Sequence, residues 1–273
     1  MNNKVAMITG AAVGIGRAVA ILMAQKGAKL VLLDIDAEKL EQVKKEVLSF
    51  TEAITYQCDV SDECRVRECV NDAITQFGAI DILVNSAAIW KIWNYFIEQD
   101  MDAWRKLFEV NLTGTAVATQ AVLPGMMERG WGRIINVASV AGIYGNPKMV
   151  AYSATKGAVI SFTKALAKEV ADHGITVNAV SPGTVSPSSK LDIDHVQPSE
   201  FCYMGRTGSD RENAELICFL ASEGAAYISG QTIQIDGFRK KIYSIKVLTL
   251  PHFVVEYLRI CKDYAETKQG KTP

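Results

Sequence analysis

The chain is predicted to be an α/β protein, a doubly wound parallel sheet of about seven strands in a single domain. Three observations predict it. Short apolar runs of strand length recur between stretches of helical periodicity; glycines follow the first run directly; and a tyrosine and a lysine stand four residues apart at the start of a later helical stretch. Strands alternating with helices imply a parallel sheet covered on both faces, with a ligand crevice at the carboxyl ends of the strands.

The elements follow in order. Residues 5–8, an unbroken apolar run, form the first strand, and the glycine turn leads into a helix over 15–26. A second strand at 30–33 precedes a charged, amphipathic helix at 37–48, and a third at 54–58 precedes a helix at 62–77. The fourth strand, 82–84, is followed by an aromatic stretch and one long helix over 101–129. Strands at 133–138, 176–180 and 232–235 complete the sheet, separated by helices at 151–173 and 211–221.

Composition narrows the function classes. The chain has 273 residues, 49% of them hydrophobic, and a formal charge of −1, so no overall field draws nucleic acid or an anionic membrane. The six cysteines show no C-x-x-C pairing and read as reduced structural thiols, and none of the three histidines stands in a ligand pattern, so no metal is expected. Arg17 and glycines interrupt the apolar amino terminus, and no run reaches membrane-spanning length; a cytoplasmic protein is expected.

In Thr9-Gly10-Ala11-Ala12-Val13-Gly14-Ile15-Gly16, a buried strand gives way to glycines and then a helix. That is a dinucleotide-binding signature with G-x-x-x-G-x-G spacing, in which the backbone approaches a pyrophosphate at the positive end of a helix. Asp34 ends the second strand eighteen residues after Gly16, where a carboxylate accepts from ribose hydroxyls and repels a 2′-phosphate. NAD(H) is therefore expected over NADP(H), with Asp36 adding to the repulsion and Arg17 and Lys29 as basic residues that would soften it.

Tyr152 and Lys156, in Tyr-Ser-Ala-Thr-Lys, share one helix face. Lowering a tyrosine pKa from about 10 by three units needs roughly 4 kcal/mol. One ammonium at about 4 Å, with an effective dielectric of about 20, supplies about that much. The pair is a candidate acid-base catalyst.

Together with Ser139, thirteen residues before Tyr152, and with Asn111, Asp59, Asn85-Ser86-Ala87-Ala88 and Pro182-Gly183, these motifs resemble the short-chain dehydrogenase/reductase family from Lys4 to Gly237. The resemblance implies a Rossmann-type catalytic domain over 1–237, a substrate lid at about 188–207, and a C-terminal extension over 238–273. It implies an NAD-linked oxidoreductase acting on CH–OH groups. Tyr152 would move the alcohol proton, Ser139 would bind the same oxygen, Lys156 would serve Tyr152 and the nicotinamide ribose, and Asn111 would anchor a water relay. Gly10, Gly14, Ile15 and Gly16 would hold the pyrophosphate, Asp34 the ribose, Asp59 and Val60 the adenine, Asn85 and Ala87 the nucleotide, and Pro182, Gly183 and Val185 the nicotinamide. The chain departs from the family at Pro187, where relatives commonly have threonine, and at Phe238, where they often have a second glycine.

For the substrate, Trp90, Trp93, Tyr95 and Phe96 face the polar lid that carries Asp192, Asp194, His195, Glu200, Phe201 and Tyr203. Aromatic surface there would suit a bulky secondary alcohol such as a hydroxysteroid, unless those rings pack in the core. The alternatives are a 3-oxoacyl-thioester (acyl carrier protein) reductase and, from another class, a non-catalytic nucleotide-binding regulatory protein. The expected partners are a small alcohol or ketone and further copies of the chain, as a homodimer or homotetramer. Residues 239–273 carry eight Lys or Arg against three acids, and Phe253, Val254, Tyr257, Leu258, Cys261 and Tyr264 keep the spacing of an amphipathic helix.

Overall fold

The computed structural model describes residues 1–91, 93–186 and 192–240. The expected amphipathic helix at 253–264, Pro187 and the start of the lid lie outside the described residues. The chain divides into two units, of which the first, Met1–Arg239, holds the whole sheet.

Seven parallel strands form that sheet: β1 (Val5–Thr9), β2 (Lys29–Asp34), β3 (Ala53–Gln57), β4 (Ile82–Asn85), β5 (Gly132–Val137), β6 (Ile175–Pro182) and β7 (Thr232–Ile235). Their order is β3-β2-β1-β4-β5-β6-β7, with Thr9 in register with both Leu33 and Asn85. The chain reverses its winding direction between β1 and β4, and a crevice opens there.

Among the described residues, eight α-helices accompany the strands: α1 (Gly14–Gln25), α2 (Ala37–Val47), α3 (Glu63–Phe77), α4 (Met101–Phe108), α5 (Gly114–Arg129), α6 (Ala141–Tyr144), α7 (Val150–Glu169) and α8 (Asp210–Leu220). Successive strand side chains point to opposite faces, so each strand feeds two cores. Ala6, Ile8, Leu30, Leu32 and Val84 pack with Leu22 and Met23 of α1, Val43 of α2 and Ile217 of α8. Val5, Met7, Val31, Leu33 and Leu83 pack with Val70 of α3, Val122 of α5 and Leu166 of α7. Each fully buried Leu or Ile side chain contributes about 1.5–3 kcal/mol.

The helix expected over 101–129 is broken. A π turn over Glu109–Thr113 separates α4 from α5, and Asn111 is buried within it. The hydroxyl of Thr115 donates to the Asn111 carbonyl at 3.0 Å, and that of Thr119 to the Thr115 carbonyl at 2.7 Å. A period of 3.6 carries no mark of such an insertion. The short α6 was also absent from the expectation, because its four residues show no periodicity.

Four of the eight α-helices begin on their own side-chain caps. Asp36, Asp62 and Asp100 accept backbone N–H groups at the starts of α2, α3 and α4, and Ser209 with Glu212 forms a capping box on α8. The start of α1 has neither a capping side chain nor an acidic residue in its first turn.

Candidate active site

That uncapped helix end is built for an anion. Gly10 and Gly14 have φ of +67° and +58°, which a side chain would strain, and a Cβ on Gly16 would sit 2.1 Å from the Gly10 carbonyl oxygen. The loop therefore lies flat against β1, and the amides at the head of α1, beginning with Ile15 and Gly16, have no side chain of their own to satisfy. A dinucleotide pyrophosphate fits that donor set.

Asp34 closes the next stretch of the crevice. Its carboxylate accepts from the Ala12 amide at 2.9 Å and the Asp36 amide at 3.0 Å, which fixes it at the tip of β2 beside the glycine loop. The two cations expected to soften its charge pair with other acids, Arg17 with Glu46 at 2.7 Å and Lys29 with Glu52 at 2.6 Å, and Lys39, which also feels Asp34, pairs with Asp36. Asp59 accepts from the Ser61 amide and hydroxyl at 2.9 and 2.6 Å, and hydrogen bonds to Ser61 and Lys106 hold its carboxyl below the usual range despite partial burial. Val60 is buried against Gly114, the first residue of α5.

At the tip of β4, the Asn85 amide donates to Thr119 at 3.1 Å and Asn136 at 2.9 Å. Its Oδ1 is buried without a hydrogen-bond partner. The side chain thus ties β4 to β5 and α5 and leaves one acceptor toward the crevice. Thr9, which carried no motif, accepts from the Ser86 and Ala87 amides, both at 3.2 Å, and holds Ala87 against Gly10. At the tip of β6, a Cβ on Gly183 would lie 2.7 Å from that of Asp236, so Pro182 and Gly183 stay close to the end of β7. Val185 bridges to Gly208, and the buried Ser186 hydroxyl meets that of Thr207 at 2.8 Å. A cleft of about 540 Å³ opens between Thr184 and the lid residues 197–207.

The four candidate catalytic side chains converge at the carboxyl ends of β4 and β5. Ser139 follows β5, its hydroxyl accepting from the Ala141 amide at 3.1 Å. Tyr152 lies in the first turn of α7, and close approach sets its place: a Cβ on Gly142 of α6 would fall 2.5 Å from the Lys156 backbone. Lys156 is buried, donates to the Val137 carbonyl at 2.7 Å and stands 5.8 Å from the centre of the Tyr152 ring. Asn111 is fully buried; its Oδ1 accepts from the Ile89 amide at 2.8 Å, and its Nδ2 donates to the Ile89 carbonyl at 2.9 Å and Thr155 at 3.2 Å. Both amide donors are spent, so Asn111 clamps the loop after β4 to α7.

The electrostatics correct one expectation. Burial raises the Tyr152 pKa above its ordinary value, opposed by the hydrogen bond from Ser139. Burial also pulls the Lys156 ammonium down to about 8. In this arrangement burial, and not Lys156, sets the direction of the Tyr152 shift.

A second correction concerns the aromatic stretch. Trp90, Trp93, Tyr95 and Phe96 are all more than half exposed, so they are not core residues. Phe96 meets Trp104 edge-on, and the Lys148 ammonium lies 4.7 Å from the Tyr95 ring, linking this stretch to the loop before α7. Among the described residues no group of three or more His, Cys, Asp or Glu could hold a metal, and no helix is long and apolar enough to cross a membrane. The five described cysteines are free thiols.

Comparison with known proteins agrees with this geometry. The family model for short chain dehydrogenases matches residues 4–196. A 3-oxoacyl-[acyl-carrier-protein] reductase of Thermotoga maritima is 39% identical over 87% of this chain and 98% of its own length. A cyclohexanol dehydrogenase of an Acinetobacter species is 33% identical over 86% of this chain and 94% of its own. The crystal structure of an NAD+-bound xylitol dehydrogenase superposes with a TM-score of 0.81 at 31% identity, covering 86% of this chain and 98% of that one.

Proposed function

The chain belongs to the short-chain dehydrogenase family of oxidoreductases, and on that premise we propose that it reduces the ketone of a 3-oxoacyl thioester, with Tyr152 as the proton donor. The observation that carries the reaction class is the placement of Ser139 at the end of β5 and of Tyr152 on α7 beside the buried Lys156, whose ammonium lies 5.8 Å from the centre of the Tyr152 ring. A bound nicotinamide supplies or accepts the hydride. Gly10, Gly14, Ile15 and Gly16 would hold its pyrophosphate, Asp34 the adenosine ribose, Asp59 and Val60 the adenine, Asn85 and Ala87 the middle of the crevice, and Pro182, Gly183 and Val185 the far end. Fixed beside the loop while Arg17 and Lys29 are paired elsewhere, Asp34 favours NAD(H), since a 2′-phosphate would meet its charge.

The residues divide the work by chemistry. Ser139 donates to the substrate oxygen, and Tyr152 delivers the proton that the alcohol product gains. Burial favours the neutral phenol, which is the form that ketone reduction consumes. Lys156 stands beside Tyr152 and would hold the nicotinamide ribose, and Asn111 keeps the loop at Ile89 in register with α7.

The 3-oxoacyl thioester reading draws on the reductases of acyl carrier protein among the relatives, which match over nearly their whole length. A second reading, a bulky cyclic alcohol or ketone, is favoured by the exposed wall of Trp90, Trp93, Tyr95 and Phe96. A panel of 3-oxoacyl thioesters and cyclic ketones, followed by NADH and NADPH absorbance, separates the two. Thioester turnover with NADH is the expected result; silence of both classes while NADH still binds would return the protein to a regulatory role. Residues 192–207 serve as the lid in this reading, and light scattering should find a homodimer or homotetramer.

A further inference from the structure

Beyond β7 the chain does not leave the active site at once. Cys202 of the lid forms an antiparallel bridge with Arg239, the Tyr203 amide donates to the Phe238 carbonyl at 2.9 Å, and the Met204 amide to the Gly237 carbonyl at 3.2 Å. The Tyr203 and Phe238 rings lie 5.6 Å apart. The lid tip is thus paired with the residues that follow the sheet.

The same segment reaches the turn before α7. Arg239 Nη2 donates to Asn146 Oδ1 at 2.6 Å. Asn146 organises the turn before α7: its amide donates to the Ser153 hydroxyl at 3.1 Å, and its carbonyl accepts from the Met149 amide at 3.1 Å. Ser153 adjoins Tyr152. A second tie runs from the Tyr144 hydroxyl to Gln234 of β7 at 2.7 Å.

Two residues in this link are strained. Lys148 and Phe238 have φ of +65° and +59°, and such residues without glycine's freedom gather where surrounding contacts impose a conformation. The Phe238 amide is held by Asp236 Oδ1 at 3.0 Å, and the Lys148 ammonium sits over Tyr95.

We propose that Arg239 is a positioning residue that couples the lid to the first turn of α7, so that the docked lid and a correctly aimed Tyr152 form one unit. The proposal rests on the reading of Tyr152 as the proton-transfer group. A misplacement of about 1 Å at a reacting group can cost about a hundredfold in rate. Arg239→Ala is expected to raise KM for the ketone and lower kcat together, with kcat/KM falling about tenfold, while NADH affinity by fluorescence titration stays within about twofold. Arg239→Lys, which keeps one charged donor, should recover most of the loss. In a double-mutant cycle with Asn146→Ala, the pair should cost no more than the worse single change.

Amide hydrogen exchange reads the latch without turnover. In Arg239→Ala the Tyr203 and Met204 amides and those of 149–153 should exchange faster, while β1 and β4 do not change. Unchanged exchange at those sites, or additive losses in the cycle, would overturn the proposal. The parallel assay of Tyr152→Phe separates failures: an inactive Tyr152→Phe beside an unaltered Arg239→Ala rejects the latch alone, whereas an active Tyr152→Phe rejects the catalytic reading beneath it.

Discussion

At the crevice formed by β1, β2 and β3, the groups that face a ligand are main-chain amides set by glycines and the carboxylates of Asp34 and Asp59, all within a few residues of a strand end. At the crevice formed by β5, β6 and β7 they are side chains, held by partners far along the chain: Lys156 by Val137, Asn146 by Arg239, Ser186 by Thr207. The first side positions by excluded volume, since a Cβ on Gly16 has nowhere to go. The second positions by hydrogen bonds, a strained backbone and close helix packing. A phosphate chain is the same in every cofactor and needs only a mould; a substrate differs between enzymes and needs adjustable walls.

The largest test of this contrast removes one oxygen from the second side. Tyr152→Phe should lower kcat by about 10²–10⁴ while leaving NADH affinity nearly unchanged; equal losses in both would mean that the two sides are not separable. Lys156→Met should lose turnover yet melt at a higher temperature at pH 7. The folded-state value of about 8 lies below the roughly 10.4 of an unfolded lysine, so the unfolded chain holds more protons between those values and stability rises with pH across them. The cost of the buried ammonium is fully present below pH 8, up to about 3 kcal/mol, and the variant's advantage should shrink to nothing above about pH 10. A thermal scan at pH 7 and about pH 10.5 checks this, and a lower melting temperature at pH 7 would show that the bond to Val137 outweighs desolvation.

Gly142→Ala asks whether excluded volume also matters on the catalytic side. It would push α6 from α7 and Ser139 from Tyr152, so kcat should fall about tenfold with NADH affinity intact. Wild-type kinetics would show that the α6–α7 contact does not aim the pair. The smallest expected effect belongs to the mould: Asp34→Ala should narrow the preference for NADH over NADPH by about tenfold, near 1.4 kcal/mol. A constant ratio of kcat/KM for the two cofactors would remove Asp34 from that role.

The same contrast explains what could be read from the sequence. Strand runs, the glycine turn, Asp34 and the Tyr152–Lys156 spacing are local patterns, and the fold and the candidate catalytic set follow from them. The π turn at Glu109–Thr113 left no periodic trace, and the single helix read over 101–129 is two. Thr9, Asn146 and Arg239 act through partners 77, 7 and 93 positions away, and residue spacing carries no signal of such pairings. The expected effect of Lys156 on Tyr152 weighed charge and left out burial, which sequence does not give and which here prevails.

The strand order has a consequence for how the molecule is made. All six pairings are parallel, so no two neighbouring strands can close as a hairpin while the chain is being synthesised. At about 5–20 residues per second, Met1 to Asn85 emerges in roughly 4–17 s and can assemble β3-β2-β1-β4 before any candidate catalytic residue exists. Ile82–Asn85 then presents an unpaired apolar edge until Gly132–Val137 follows. In that interval the nascent sheet carries an open edge of the kind that pairs readily with another chain.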